Sequence, residues 1–199
     1  MTIAAKDVKA LRDRTGAGMM DCKRALQEAD GDMEAAIDLL RARGAAKAAK
    51  RAAKSANEGT IGSYVHFGNK VGVMVEVNCE TDFVAKTDDF LELARDLAMH
   101  IAAASPVAVS PEDIPEELVE REKQIFLEQV KNEGKPEHIA EKIVEGKLRK
   151  FYEENSLLKQ AYVKNPDISI EDLITEASAR TGEKIEVARF ARFQVGESA

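Results

Sequence analysis

No tryptophan occurs among the 199 residues, and aromatic side chains make up only 5%. Cysteine is nearly as scarce. Cys22 and Cys79 are too few for a disulfide framework, and without an export signal a reducing cytoplasm is the expected location. The charged N-terminal stretch MTIAAKDVKALRDR lacks the apolar core of a signal peptide. No apolar run approaches the ~20 residues needed to cross a bilayer, so no membrane partner is expected. The three histidines, His66, His100 and His138, show no zinc-ligand spacing to the cysteines and no pairing that activates a thiolate. Neither GxxxxGK[ST] nor GxGxxG occurs, so no phosphate-cradling loop is expected. A basic excess is also missing. The formal net charge of −7 argues against general nucleic-acid binding. No metal and no cofactor is therefore expected.

What is present is alanine, glutamate, lysine and leucine, a composition that favours helices in a soluble chain. Residues 1–44 are expected to form three short helices. Val8 and Leu11 recur at helical spacing, and Thr15-Gly16-Ala17-Gly18 interrupts them. Met19, Cys22, Ala25, Leu26 and Ala29 make a second stripe; Asp30-Gly31-Asp32 is a turn with a ready N-cap. Met33, Ala36, Ile37 and Leu40 make a third, with Gly44 in place for a C-cap. The alanine- and lysine-rich stretch 44–59 has nothing large to bury and is expected to be a solvated helical linker.

Period-two alternation then predicts a hairpin. Ile61, Val65 and Phe67 alternate with Thr60, Gly62, Tyr64 and His66; Gly68-Asn69 turns the chain, and Val71–Cys79 returns. Both faces carry apolar residues. A helix is expected over 88–104, a helical hairpin over 118–153 turning at Gly134-Lys135, and a loop over 156–166. A short helix opening at Ser169 and a final strand over 184–195 complete a three-stranded sheet.

Two stretches stand apart. In LRDRTGAGMMDCKRAL (11–26), Met19 and Met20 are neighbours, about 100° apart on a helix, so both cannot face one core. One is expected inside; the other is either marginal core or an adaptable contact for a partner. In EVNCETDFVAK (76–86), a strand breaks into Thr-Asp-Phe-Val. Thr81 or Asp82 can cap the next helix with Phe83 as its hydrophobic anchor. Alternatively, Phe83 is a knob thrust outward from a rigid corner. Other readings stay open: a binding module using the N-terminal bundle alone, or RNA contact through Lys47–Lys54.

Both stretches resemble the signature segments of the elongation factor Ts family. Similarity continues through HIAAASPVAVSPEDIP, GKPEHIAEKIVEGKLRKFYEENSLLKQ and ARFQVGE, in the family's order. The resemblance implies an α+β fold. An N-terminal three-helix bundle like a ubiquitin-associated domain (1–44) leads through a basic linker (45–57) to a core of antiparallel sheet and helices (58–110 and 168–199). A helical hairpin (111–167) protrudes from that core. It also implies a guanine nucleotide exchange factor, not an enzyme in the strict sense, whose partner is elongation factor Tu. Thr81, Asp82, Phe83 and Val84 would dislodge the partner's Mg²⁺. Leu11, Met19, Met20, Val71, Gly72 and His100 would contact the partner. Only one core copy, GTIGSYVHFGNKVGVMVEVNC, is present, which resembles the short form of the family and implies a homodimer and a 2:2 complex.

Overall fold

The computed structural model describes residues 3–133 and 136–197. Three helices open the chain. Helix α1 (Ala5–Thr15) stops at Gly16, whose φ of 65° is the left-handed conformation that glycine adopts without steric cost. Helix α2 (Met19–Glu28) follows, then a turn through Asp30 and Gly31. Asp32 caps α3 (Met33–Arg51), its side chain accepting from the Ala35 N–H at 3.0 Å. Val8, Leu11, Cys22, Ala25, Leu26 and Ala36 form the buried core of this bundle.

Helix α3 does not stop at Gly44. It runs seven residues further, and Gly44 is buried inside it. A Cβ there would lie 3.2 Å from the Ala179 Cβ, so the glycine serves close helix–helix approach, not a cap. The basic stretch after it is likewise more than a solvated connector: Ala56 is buried, and Lys47 and Lys54 pair with Asp21 and Glu80.

The predicted hairpin forms as β1 (Glu58–Val65) and β2 (Val71–Cys79), turning through Gly68 and Asn69 at φ 89° and 57°. The last strand, β5 (Glu186–Gln194), pairs with the other edge of β2, giving an antiparallel sheet of order β1-β2-β5. Val73, Val75, Val77 and Cys79 are buried at alternate positions of the central strand. Helix α4 (Asp82–Ala85) is a single turn; α5 (Asp88–Ala104) buries Phe90, Leu93, Ala94, Leu97, Ala98 and Ile101. At Gly62 a Cβ would sit 2.4 Å from the Ala94 carbonyl oxygen, so β1 lies directly against α5 there.

Helices α6 (Glu116–Asn132) and α7 (Glu137–Asn155) form the charged helical hairpin, with Val130 and Val144 buried along a thin seam. The turn expected at Gly134-Lys135 lies outside the described residues. The segment expected as loop over 156–166 contains a 3₁₀ turn (Leu157–Lys159) and two strands. These are β3 (Ala161–Tyr162) and β4 (Asn165–Ser169), paired antiparallel. Buried Leu157 and Tyr162 anchor this piece, which is too short to show alternation. Helix α8 (Ile170–Thr181) ends at Gly182, φ 76°. The architecture is α+β, as expected.

The chain divides into two units. One comprises residues 1–61, 76–93 and 172–186; the other, 62–75, 94–171 and 187–199. Among the described residues no helix is long and apolar enough to cross a membrane.

Candidate functional site

The corner after β2 lies wholly within the first unit. Its geometry starts from two caps in series. Thr81 is the N-cap of α4: its Oγ1 accepts from the Val84 N–H at 3.4 Å. Thr87 does the same for α5, accepting from Phe90 N–H at 3.3 Å and donating to the Val84 carbonyl at 2.8 Å. One helical turn is thereby pinned at both ends. Residues 83 and 85 lie about 200° apart on such a turn. Ala85 is buried and seats the turn; Phe83 is carried to the opposite side and is 82% exposed. A ring this exposed does not serve as a buried anchor for the following helix.

An exposed phenyl forgoes roughly 2 kcal/mol of burial. Single exposed apolar residues are ordinary on protein surfaces. What distinguishes Phe83 is the rigidity beneath it. The Cys79 thiol donates to the Thr81 carbonyl at 3.2 Å. Glu80 accepts from Lys54 Nζ at 2.6 Å and from the Lys184 N–H at 2.7 Å. Asp82 accepts from Lys86 Nζ at 2.7 Å, one helical turn on. The Lys86 hydrogen bond and charge hold the Asp82 carboxyl below its usual range, and Lys54 does the same for Glu80. Asp82 is thus a fixed negative charge beside the ring.

A shallow recess adjoins the corner, bordered by Arg12 and Asp13 of α1, Gly16, Val84, Thr87 and Arg180 of α8. Met19 and Met20 open α2 and are 45% and 65% exposed. The expectation that one of them enters the core does not hold. They occupy the first turn of α2, at the bundle's edge, and Cys22, Ala25 and Leu26 fill the interior behind them.

Two of the expected contact residues are buried. Leu11 is fully buried in the bundle core, and its periodicity with Val8 marks packing. His100 is fully buried in the second unit, with Nε2 3.0 Å from Gln160 Oε1 and Nδ1 accepting from the Val163 N–H at 3.3 Å. Neither side chain is exposed in the free chain. Val71 and Gly72 begin β2, half-buried, and open space surrounds the position of a Gly72 Cβ. Among the described residues no cluster of histidine, cysteine or acidic side chains has the makings of a metal site. Both thiols are buried, and burial pushes their pKa values up, so neither is a poised nucleophile.

Residues 19–197 match the family model described as elongation factor TS. The chain belongs to the elongation factor Ts family. It is 59% identical to the elongation factor Ts of Thermosipho melanesiensis over 195 residues, covering 98% of this chain and 100% of that one. Identity to the Desulfosudis oleivorans factor is 58% over 196 residues (98% and 99%), and to that of Moorella thermoacetica 59% over 195 (98% and 96%). The protein is accordingly a translation elongation factor.

One residue beneath the family's signature corner escaped the sequence reading. Glu183 Oε2 accepts from the backbone N–H groups of Glu80 and Thr81, at 3.1 and 3.0 Å. Its Oε1 accepts from Thr81 Oγ1 at 2.6 Å. Glu183 is 102 residues from Thr81, and no local pattern links the two.

Proposed function

We propose that this protein is the guanine nucleotide exchange factor of elongation factor Tu, with Phe83 as the element that loosens the partner's hold on Mg²⁺ and GDP. The observation that carries this reading is the exposed ring on a corner pinned by two caps. Exchange requires that factor and GDP weaken each other's binding to the partner by the same ratio. The factor must therefore bind best to a partner conformation that holds the metal and phosphates poorly. Mg²⁺ demands near-octahedral oxygen geometry, so a small displacement of its ligands is costly. A phenyl ring driven between partner side chains near that ion supplies the displacement, and its own burial contributes the anchor energy typical of interface aromatics. Asp82 adds a carboxylate that can accept from partner donors. Thr81 and Val84 set the direction of the ring. GTP then loads into the emptied site. No covalent step is needed.

In this reading the bundle (1–44) docks on the partner's GTPase domain through the exposed pair Met19 and Met20, whose flexible thioethers suit such a surface. Val71 and Gly72 present backbone for a further contact. The stretch 45–57 connects the bundle to the core (58–110 and 168–199). The 111–167 hairpin protrudes and makes no nucleotide contact. The factor works in the cytoplasm as a homodimer in a 2:2 complex, with no direct role for nucleic acid.

The test is release of a fluorescent GDP analogue from elongation factor Tu at saturating factor. Phe83→Ala leaves the fold intact, because the residue is 82% exposed in the free protein. It lowers the plateau rate about tenfold or more, equivalent to roughly 1.4 kcal/mol or more of lost stabilisation. Unchanged release discards the wedge.

A further inference from the structure

We infer that Glu183 is the positioning residue of the corner, holding the backbone from which Phe83 projects; its role in exchange rests on the wedge reading above. Three donors converge on one carboxylate: the N–H groups of Glu80 and Thr81 on Oε2, and the Thr81 hydroxyl on Oε1. Two successive backbone N–H groups aimed at one oxygen form an anion-binding concavity, here filled by a side chain of the same chain. The third bond fixes a polarity. Because Thr81 Oγ1 donates its single proton to Glu183, its lone pairs face the other way and accept from the Val84 N–H. The helical turn that bears Phe83 is thus capped by a hydroxyl whose orientation Glu183 dictates.

Glu183 is itself immobilised. Its N–H donates to Thr181 Oγ1 at 3.3 Å, and its carbonyl accepts from the Ser178 hydroxyl. Gly182 makes the turn that brings it round the end of α8. The neighbouring residue adds a reciprocal bond, the Lys184 N–H donating to Glu80 Oε1. Helix α8 also lies against the bundle, Ala179 against Gly44 and the Arg180 side chain against Gly16. The same helix therefore braces the methionine-bearing bundle and, through Glu183, the corner.

Glu183→Ala removes both acceptor oxygens, so the two N–H groups and the Thr81 hydroxyl all lose their common acceptor. Two readouts follow. In the protein alone, amide hydrogen exchange at Glu80 and Thr81 accelerates at least tenfold in Glu183→Ala, while the bundle amides keep their protection. Unchanged exchange at both positions overturns the inference without reference to any partner. In GDP release from elongation factor Tu, the variant lowers the plateau rate about fivefold and shifts the half-saturating factor concentration by less than twofold. A merely unfolded fraction does the reverse, raising the half-saturating concentration and sparing the plateau. In a Phe83→Ala background, Glu183→Ala has no further effect on the plateau, because both act through the same ring. Additive losses overturn the positioning role. If Phe83→Ala alone changes nothing, the wedge fails and the amide readout still decides whether Glu183 holds the corner. If Phe83→Ala slows release and Glu183→Ala does not, the wedge stands and the role of Glu183 in exchange falls.

Discussion

His100 is buried with both ring nitrogens occupied, and Nδ1 accepts from a backbone N–H, so the proton of the neutral ring sits on Nε2 and faces Gln160. Protonation would place a second N–H against the Val163 donor. Burial pushes the pKa below its ordinary value of about 6.5. Asp96, on the same helix, is engaged with Tyr162 and Lys164. The unfolded chain therefore binds a proton before the folded one does, and stability falls as pH drops below about 6.5. Above that value the contribution is complete. Urea midpoints at pH 7 and pH 5 are expected to show this loss, and His100→Gln is expected to flatten the dependence even if its absolute stability is lower. A single sequence supports the choice of Thr81 as a cap and of Phe83 as an unusual corner residue, because capping is local. It does not separate a core position from a contact position at Leu11 or His100, since both are apolar or amphipathic residues in phase with a helix. Glu183 is invisible for a further reason: its partners lie 102 and 103 residues away.

Among the elements, long periodic segments are legible and short ones are not. Helix α5 and the hairpin with its Gly68-Asn69 turn follow from period and turn chemistry alone. Strands β3 and β4 do not, because two to five residues pinned by Leu157 and Tyr162 give too short a pattern to distinguish from loop. The length of α3 is missed because glycine has two unrelated uses. A solvated Gly44 inside the helix and a Gly44 that admits another helix make opposite forecasts. In the first case Gly44→Ala stabilises by up to about 1 kcal/mol through helix propensity. In the second, the 3.2 Å approach to Ala179 cancels that gain. Gly44→Leu then destabilises by about 1–3 kcal/mol through overpacking. Urea unfolding of both variants is expected to follow the second pattern. Because α8 leads through Gly182 to Glu183, Gly44→Leu is also expected to lower the exchange plateau.

For the whole molecule, the unanswered surface is on the sheet. Val65, Phe67, Met74, Phe193 and Val195 are all exposed in the second unit, Phe67 at 96%. Four of the five cluster where the sheet ends. Val195 N–H donates to the Lys70 carbonyl at 2.9 Å, which sets the end of β5 beside the turn carrying Phe67. With one face of the sheet covered, so many exposed large apolar side chains near its end call for a cover. A second copy provides one economically. A two-fold axis places the same patch on both partners, and burying two such sets of side chains at about 1.5–3 kcal/mol each exceeds the lower estimates of association cost. Sedimentation equilibrium at micromolar concentration is expected to give a mass near twice 21.8 kDa. Val65→Glu with Phe193→Glu, which places four carboxylates in the dimer interface, is expected to return 21.8 kDa with the far-ultraviolet circular dichroism unchanged. A wild-type chain that stays at the monomer mass leaves the patch to some other partner.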